Sequence, residues 1–152
     1  MSYATCEAAV QDLLQALANF ASADVTLGSY APLDAGNLPC VVLTPGTFEM
    51  AEAGDWGQKR HTWDVNVELF VRYVGEGTEW SDLTTARQAI VDQLHAYPTL
   101  NGVSGVTQVL VRLGREILSI RPAGSDRPAY LLQPMVVRVV EYVGYAGSGE
   151  YA

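Results

Sequence analysis

The sequence is poor in basic residues. It holds 9 Lys and Arg against 17 Asp and Glu, with Lys59 as the one lysine, and the net charge is −8 at neutral pH. Proteins that bind nucleic acid or an anionic membrane surface do so largely by placing Lys and Arg against phosphate groups. The composition therefore argues against both kinds of partner.

Cysteine and histidine are also scarce. Cys6 and Cys40 lie 34 residues apart without a CxxC pair, which favours two buried or idle thiols over a disulfide framework or a zinc site. His61 and His95 belong to no HExxH or HxH pattern, and the sequence has no GxSxG, GxGxxG or P-loop motif. We expect no metal, no cofactor and no catalytic residue, while counting residues leaves open a catalytic group that assembles only in the fold.

Long apolar runs are missing. The most apolar stretch, residues 135–145, is interrupted by Arg138 and Glu141, and it is far shorter than the roughly 20 residues of a membrane-spanning helix. Residues 1–14 contain no basic residue ahead of a hydrophobic stretch, unlike a secretory signal. We therefore expect a soluble chain without a membrane partner.

The apolar residues that are present suffice for one core, since 49% of the 152 residues are hydrophobic and a domain has roughly 100 to 200 residues. Apolar spacing predicts a helix over 2–21 and another over 81–95, with Ser81 as N-cap. We predict an α+β fold over residues 1–143, a single domain with two helices packed on a largely antiparallel sheet, and a flexible tail at 144–152. The predicted strands are 24–30, 40–44, 61–74, 106–113, 116–120 and 129–143.

The strand predicted over 61–74 is unusually long. Its residues would span about 45 Å at about 3.3 Å each, whereas a domain of this size is about 40 Å across. The predicted connection before it, residues 46–60, is also longer than most loops. We therefore expect a long hairpin or loop that projects from the domain.

Charge is distributed unevenly along the chain. Residues 1–57 contain seven acids and no Lys or Arg, and so carry −7 of the net −8, whereas residues 58–152 contain ten acids and nine bases. The acids could face arginines of a second subunit, or pair with them inside one domain. The arginines concerned are Arg112, Arg115, Arg121, Arg127 and Arg138.

The second predicted helix and the strands around it form a familiar pattern. The segment TTARQAIVDQLHAYPTLNGVSGVTQVLV is a helix ending in AYPTL, followed by an NGV turn and an apolar strand. WDVNVELFVRY precedes it and YLLQPMVVRVVEYV follows it. Together these segments, within residues 38–143, resemble the tail terminator proteins of long-tailed bacteriophages, also called tail completion proteins.

The resemblance implies a structural role in the virion, at the junction of head and tail, and no enzymatic activity. Such proteins form a hexameric ring that caps the tail tube, stops its polymerisation and provides the surface to which neck proteins of the head dock. The implied partners are further copies of the chain, the tail tube protein and head-neck connector proteins, while DNA passes through without specific binding. Two alternatives are another neck protein, such as a head-closure protein, and a small soluble enzyme or ligand-binding domain.

Residues 46–60 supply the candidate site. Large apolar side chains on an exposed segment are typical interface anchors, although such a segment can also fold back on its own core. These candidate interface residues are Phe48, Met50 and Trp56. Acids on the same segment could line a lumen that repels phosphate within a Debye length of about 8 Å, or could contact a neighbouring subunit. These acids are Glu49, Glu52 and Asp55.

Overall fold

A mixed six-stranded sheet with three helices makes up residues 1–52, 57–121 and 129–144, the part of the chain that the computed structural model describes. The predicted α+β class is confirmed, with one short helix more than predicted. The helices are α1 (Tyr3–Gln15), α2 (Ala31–Asp34) and α3 (Thr78–His95). The strands are β1 (Val25–Leu27), β2 (Cys40–Glu52), β3 (Gln58–Arg72), β4 (Val106–Leu113), β5 (Leu118–Ile120) and β6 (Tyr130–Gly144).

The strands follow the order β1, β2, β3, β6, β4, and β5 also pairs with β6. The β1–β2 pair is parallel and the remaining pairs are antiparallel, as the prediction of a largely antiparallel sheet required. β3 pairs with β6 along its whole length, from Gln58 opposite Gly144 to Arg72 opposite Tyr130. Fifteen paired residues extend for about 50 Å, and this pair of strands forms the centre of the sheet.

Helix α1 begins where its sequence provides a cap. The Ser2 hydroxyl accepts a hydrogen bond from the Thr5 amide at 3.2 Å, which satisfies one of the unpaired amides at the helix start. The helix ends at Gln15 rather than at the predicted residue 21, because the chain turns and buries Phe20 in the core. The Gln15 side chain donates to the carbonyl of Ser22 and stabilises this turn.

Helices α1 and α3 pack on one side of the sheet, which we call the covered face. Its core residues recur at every second position of each strand, as Val65, Val67 and Leu69 do in β3. The opposite side, the open face, carries a small cluster beside α2, formed by Cys40, Val42, Phe70 and Leu132 with Leu33 and Leu38. Over the rest of the open face, no described helix covers β3, β6 and β4.

Residues 46–52 belong to β2, so the prediction of a loop from residue 46 was wrong. The strand passes Pro45 and Gly46 through a β-bulge, in which Gly46 and Thr47 both lie opposite Asp64. A Cβ atom on Gly46 would lie 2.6 Å from the Asp64 carbonyl oxygen, so the close approach requires glycine. Because the extra residue reverses which side chains face the core, Phe48 lies on the covered face opposite Trp63.

Helix α3 begins at Thr78, one turn before the predicted start, so Ser81 lies inside the helix and is not its N-cap. Gly77 precedes the helix with φ +87°, a left-handed conformation that glycine adopts readily. The earlier start adds Glu79 to the stripe that faces the sheet, ahead of Leu83 and Ala86. No described helix is long and apolar enough to cross a membrane.

Two strands are shorter than predicted. β1 covers Val25–Leu27 within the predicted 24–30, and β5 covers Leu118–Ile120 within the predicted 116–120. The prediction for β4 matches its observed bounds, and that for β6 differs by one residue at each end. The predicted tail lies outside the described residues except for Gly144, which ends β6.

Candidate functional site

The far end of the sheet, which we call the distal arm, consists of residues 48–52 of β2, 58–63 of β3 and 139–144 of β6, and β4 pairs with β6 beside it as far as Glu141. Four of the six candidate residues lie on it. Phe48, Met50 and Glu52 share the covered face, whereas Glu49 lies on the open face. The remaining candidates, Asp55 and Trp56, lie outside the described residues.

Phe48 is held by its own chain on one side and exposed on the other. Its ring lies 4.3 Å from that of Trp63 and 5.2 Å from that of His61, measured between centroids, yet 42% of the residue is exposed. Met50, two residues further along the same strand and face, is 57% exposed. The arm therefore presents an apolar surface that its own core does not cover.

A buried carboxylate fixes the base of this surface. Glu141 is 2% exposed and its Oε1 atom accepts from Trp63 Nε1 at 2.9 Å and lies 3.2 Å from His61 Nδ1. Its Oε2 atom lies 3.4 Å from the amino group of Met1. The ring of Tyr3 packs edge-on against Trp63 at 5.0 Å. The start of α1 is thus joined to β3 and β6 through one acid, an arrangement that sequence reasoning missed.

On the open face, an ion pair ties β6 to β3 at the level of the bulge. Arg138 donates to both carboxylate oxygens of Asp64, at 2.9 and 3.1 Å, and Thr47 donates to Asp64 Oδ2 at 2.8 Å. The hydrogen bond from Arg138 is the main cause that holds the pKa of Asp64 below its ordinary value. The same bond raises the pKa of Arg138, and the charge of Glu49 adds to this effect.

The acids of the arm have bases of the same chain close to them. Glu52 forms an ion pair with Lys59 across the hairpin, and Glu49 lies close enough to Arg138 to influence its charge. Glu49 is exposed and Glu52 keeps 72% of its side chain in solvent. Both acids thus remain accessible to a further partner.

The two cysteines among the described residues are poorly suited to act as nucleophiles. Burial raises the pKa of the Cys6 and Cys40 thiols to about 12, so neither forms much of the reactive thiolate near neutral pH. The described residues contain no group of three His, Cys, Asp or Glu side chains placed to hold a metal ion. His95 Nε2 accepts the backbone amide of Val111 at 3.2 Å.

A surface depression of about 480 Å³ lies at the other end of the sheet, near the start of α3. Arg72 and Asp82 are charged groups in its lining, and the Arg72 guanidinium donates to the Gly36 carbonyl at 2.9 Å. The depression contains none of the candidate residues predicted from the sequence. It is the feature that a ligand-binding role would use.

One solved structure contains a chain with a similar fold. The sequence matches no protein-family model and no curated protein. A chain in the solved structure of the virion of a native gene transfer agent particle has a similar structure, with a TM-score of 0.59 and 19% sequence identity. The similarity covers 93% of this chain and 100% of that chain. The two chains therefore share one fold over almost their whole lengths.

Proposed function

We propose that the chain is a structural virion protein, a tail terminator whose subunits form a hexameric ring that caps the tail tube, stops its polymerisation and joins the tail to the neck proteins of the head. The observation that carries this proposal is the similarity, over the full length of the other chain, to a component of a gene transfer agent virion. The resemblance of residues 38–143 to phage tail terminators adds the specific role.

The distal arm supplies the kind of surface that a ring needs. A closed ring of identical subunits is built from two different patches that fit each other. Exposed aromatic and Met side chains at the centre of a patch commonly contribute most of the binding energy. In this chain the first patch is the apolar side of the arm, around Phe48 and Met50. Trp56, the third interface residue predicted from the sequence, lies outside the described residues.

The charge of the chain suits a conduit for DNA. A ring multiplies the net charge of −8 by its number of subunits, and acidic walls repel phosphate within about 8 Å at physiological salt. Glu49, Glu52 and Asp55 are the acids that would line the lumen or contact a neighbouring subunit, and Glu49 and Glu52 lie on opposite faces of β2. DNA would then pass through the ring without binding to it.

The assembly state tests the ring. We expect native mass spectrometry and electron microscopy to show closed hexamers of the purified protein, alone or together with the tail tube protein of the same particle. The tube protein is included because assembly on the tube end can be required for ring closure. A chain that stays monomeric under both conditions contradicts the proposal.

A further inference from the structure

Besides the short outer edges of β1 and β5, two longer strand edges of the described sheet lack a partner strand. β4 is the last strand of the sheet and pairs with β6 alone. β2 pairs with β1 as far as Leu43, and beyond that residue its described strand partner is β3. Exposed strand edges pair readily with other chains, so proteins either protect them or use them for assembly.

The unpaired segments of β2 and β4 lie at the same level along the strand direction. Glu49 is opposite Thr62, Thr62 is opposite Val140, and Val140 is opposite Gln108. Glu49 and Gln108 therefore mark the two ends of one line across four strands. With about 4.8 Å between neighbouring strands, they are about 14 Å apart within one chain.

Strand direction permits the two edges to meet between subunits. β2, β3, β6 and β4 alternate in direction, so β4 runs opposite to β2. A second copy placed beside the first by rotation about an axis along the strands would present its β4 antiparallel to β2. The covered faces of both copies would then lie on the same side, as a closed ring requires.

Charge on the two edges is complementary. Residues 47–52 carry Glu49 and Glu52 and no base, whereas residues 106–115 carry Arg112 and Arg115 and no acid. Glu49 and Arg112 lie on the open face and are both exposed. Arg112 lies four residues beyond Gln108, about 13 Å further along β4, so the two edges are complementary as charged segments and not through one direct ion pair. Like charges on both edges disfavour pairing of β2 with β2 or of β4 with β4.

His95 limits the length of the free edge on β4. Its Nε2 atom accepts the amide of Val111, which covers the edge at that residue. The segment before it, residues 108–110, is available at the height of Glu49.

We propose that residues 47–49 of β2 pair in antiparallel orientation with residues 108–110 of β4 in a second copy of the chain, so that the sheet continues from subunit to subunit around the ring. This inference rests on the proposed ring and identifies the two patches that close it. Phe48 then lies beside Val109 of the neighbouring subunit on the covered face.

Cysteine cross-linking tests the pairing directly. Glu49→Cys is combined in turn with Gln108→Cys, Leu110→Cys or Arg112→Cys, three positions on the open face of β4. Within one chain these sites are about 14 Å apart or more, beyond the roughly 7 Å limit for a disulfide, so any new bridge joins two chains. The native thiols of Cys6 and Cys40 are fully buried and do not compete.

We expect at least one of the three pairs to give a ladder of covalent oligomers on a non-reducing gel, about tenfold more than the control. The control combines Glu52→Cys, on the covered face, with the same three partners. If rings form but none of the three pairs cross-links, or if the control cross-links equally, the edge pairing is overturned. The proposal of a ring is not affected by either result. Absence of rings contradicts the proposed function itself, and the edge pairing with it.

Discussion

Replacing Glu141 with alanine should lower the free energy of unfolding by about 3 kcal/mol. The substitution leaves the buried indole of Trp63 without its acceptor, and it removes the acid that lies beside His61 and the Met1 amino group. Buried donors without acceptors are costly because they lose water and gain nothing in return. Urea unfolding followed by tryptophan fluorescence measures the change.

Two further variants separate the effect of the buried contacts of Glu141 from that of its charge and from that of removing any acid. Glu141→Gln keeps an oxygen that can accept from Trp63 but loses the negative charge, so we expect it to fall between the wild type and Glu141→Ala. Glu116→Ala removes an exposed acid that lies between β4 and β5 and should change stability by less than about 0.5 kcal/mol. Equal effects of Glu141→Ala and Glu116→Ala would show that the buried contacts of Glu141 do not stabilise the fold.

Replacing Phe48 with alanine should weaken subunit association by about thirtyfold, the effect of losing about 2 kcal/mol at a central anchor. The fold should lose only about 1 kcal/mol, since the exposed part of the ring contributes little to the monomer and its ring contacts are limited to Trp63 and His61. Analytical ultracentrifugation gives the association, and thermal unfolding gives the stability.

Trp80→Ala is the matched control for Phe48→Ala. Trp80 is 47% exposed, close to the 42% of Phe48, but it lies on α3 and away from the distal arm. We expect normal assembly of this variant. If Phe48→Ala assembles normally but unfolds at a lower temperature, Phe48 belongs to the core of its own subunit and the interface lies elsewhere.

The long strands were predictable because their pattern is local. Alternation from Trp63 to Val71 distinguishes an apolar side of β3 from a more polar one, and both sides are visible in the sequence without knowledge of the partner strands. β6 was located correctly because its run of apolar, mostly β-branched residues is also a local signal. Its two sides are harder to tell apart, because Val137 and Val139 on the covered face are flanked by Val136 and Val140 on the open face. Apolar residues on both sides leave the choice of core face to the neighbouring strands.

The continuation of β2 was not predictable from local signals. Pro45 and Gly46 normally end a strand, and here the strand tolerates them because a bulge forms opposite Asp64. That bulge depends on Thr47 reaching Asp64 and on the Tyr3 hydroxyl, which donates to the Gly46 carbonyl at 2.6 Å. These contacts join residues 17 and 43 positions apart in the chain, so they exist only after folding.

The candidate site was predictable in part. Phe48, Met50 and Glu49 were selected as large apolar or acidic residues on an exposed segment, and the structure places them on the exposed distal arm. The group around Glu141 was missed because its members come from opposite ends of the sequence. The spacing of Val137, Val139 and Glu141 at every second residue was the one available signal. It placed the acid Glu141 on the core side of β6.

The distribution of tail lengths in particles assembled without this protein tests the proposed role most directly. Tail lengths are measured by electron microscopy of particles from a strain in which the gene for this protein is deleted, with and without the gene supplied in trans. A tail terminator predicts tubes of irregular and excessive length in its absence, and restoration of one length when it is supplied. Tails of normal length that fail to join heads would contradict termination and would assign the chain to the neck instead.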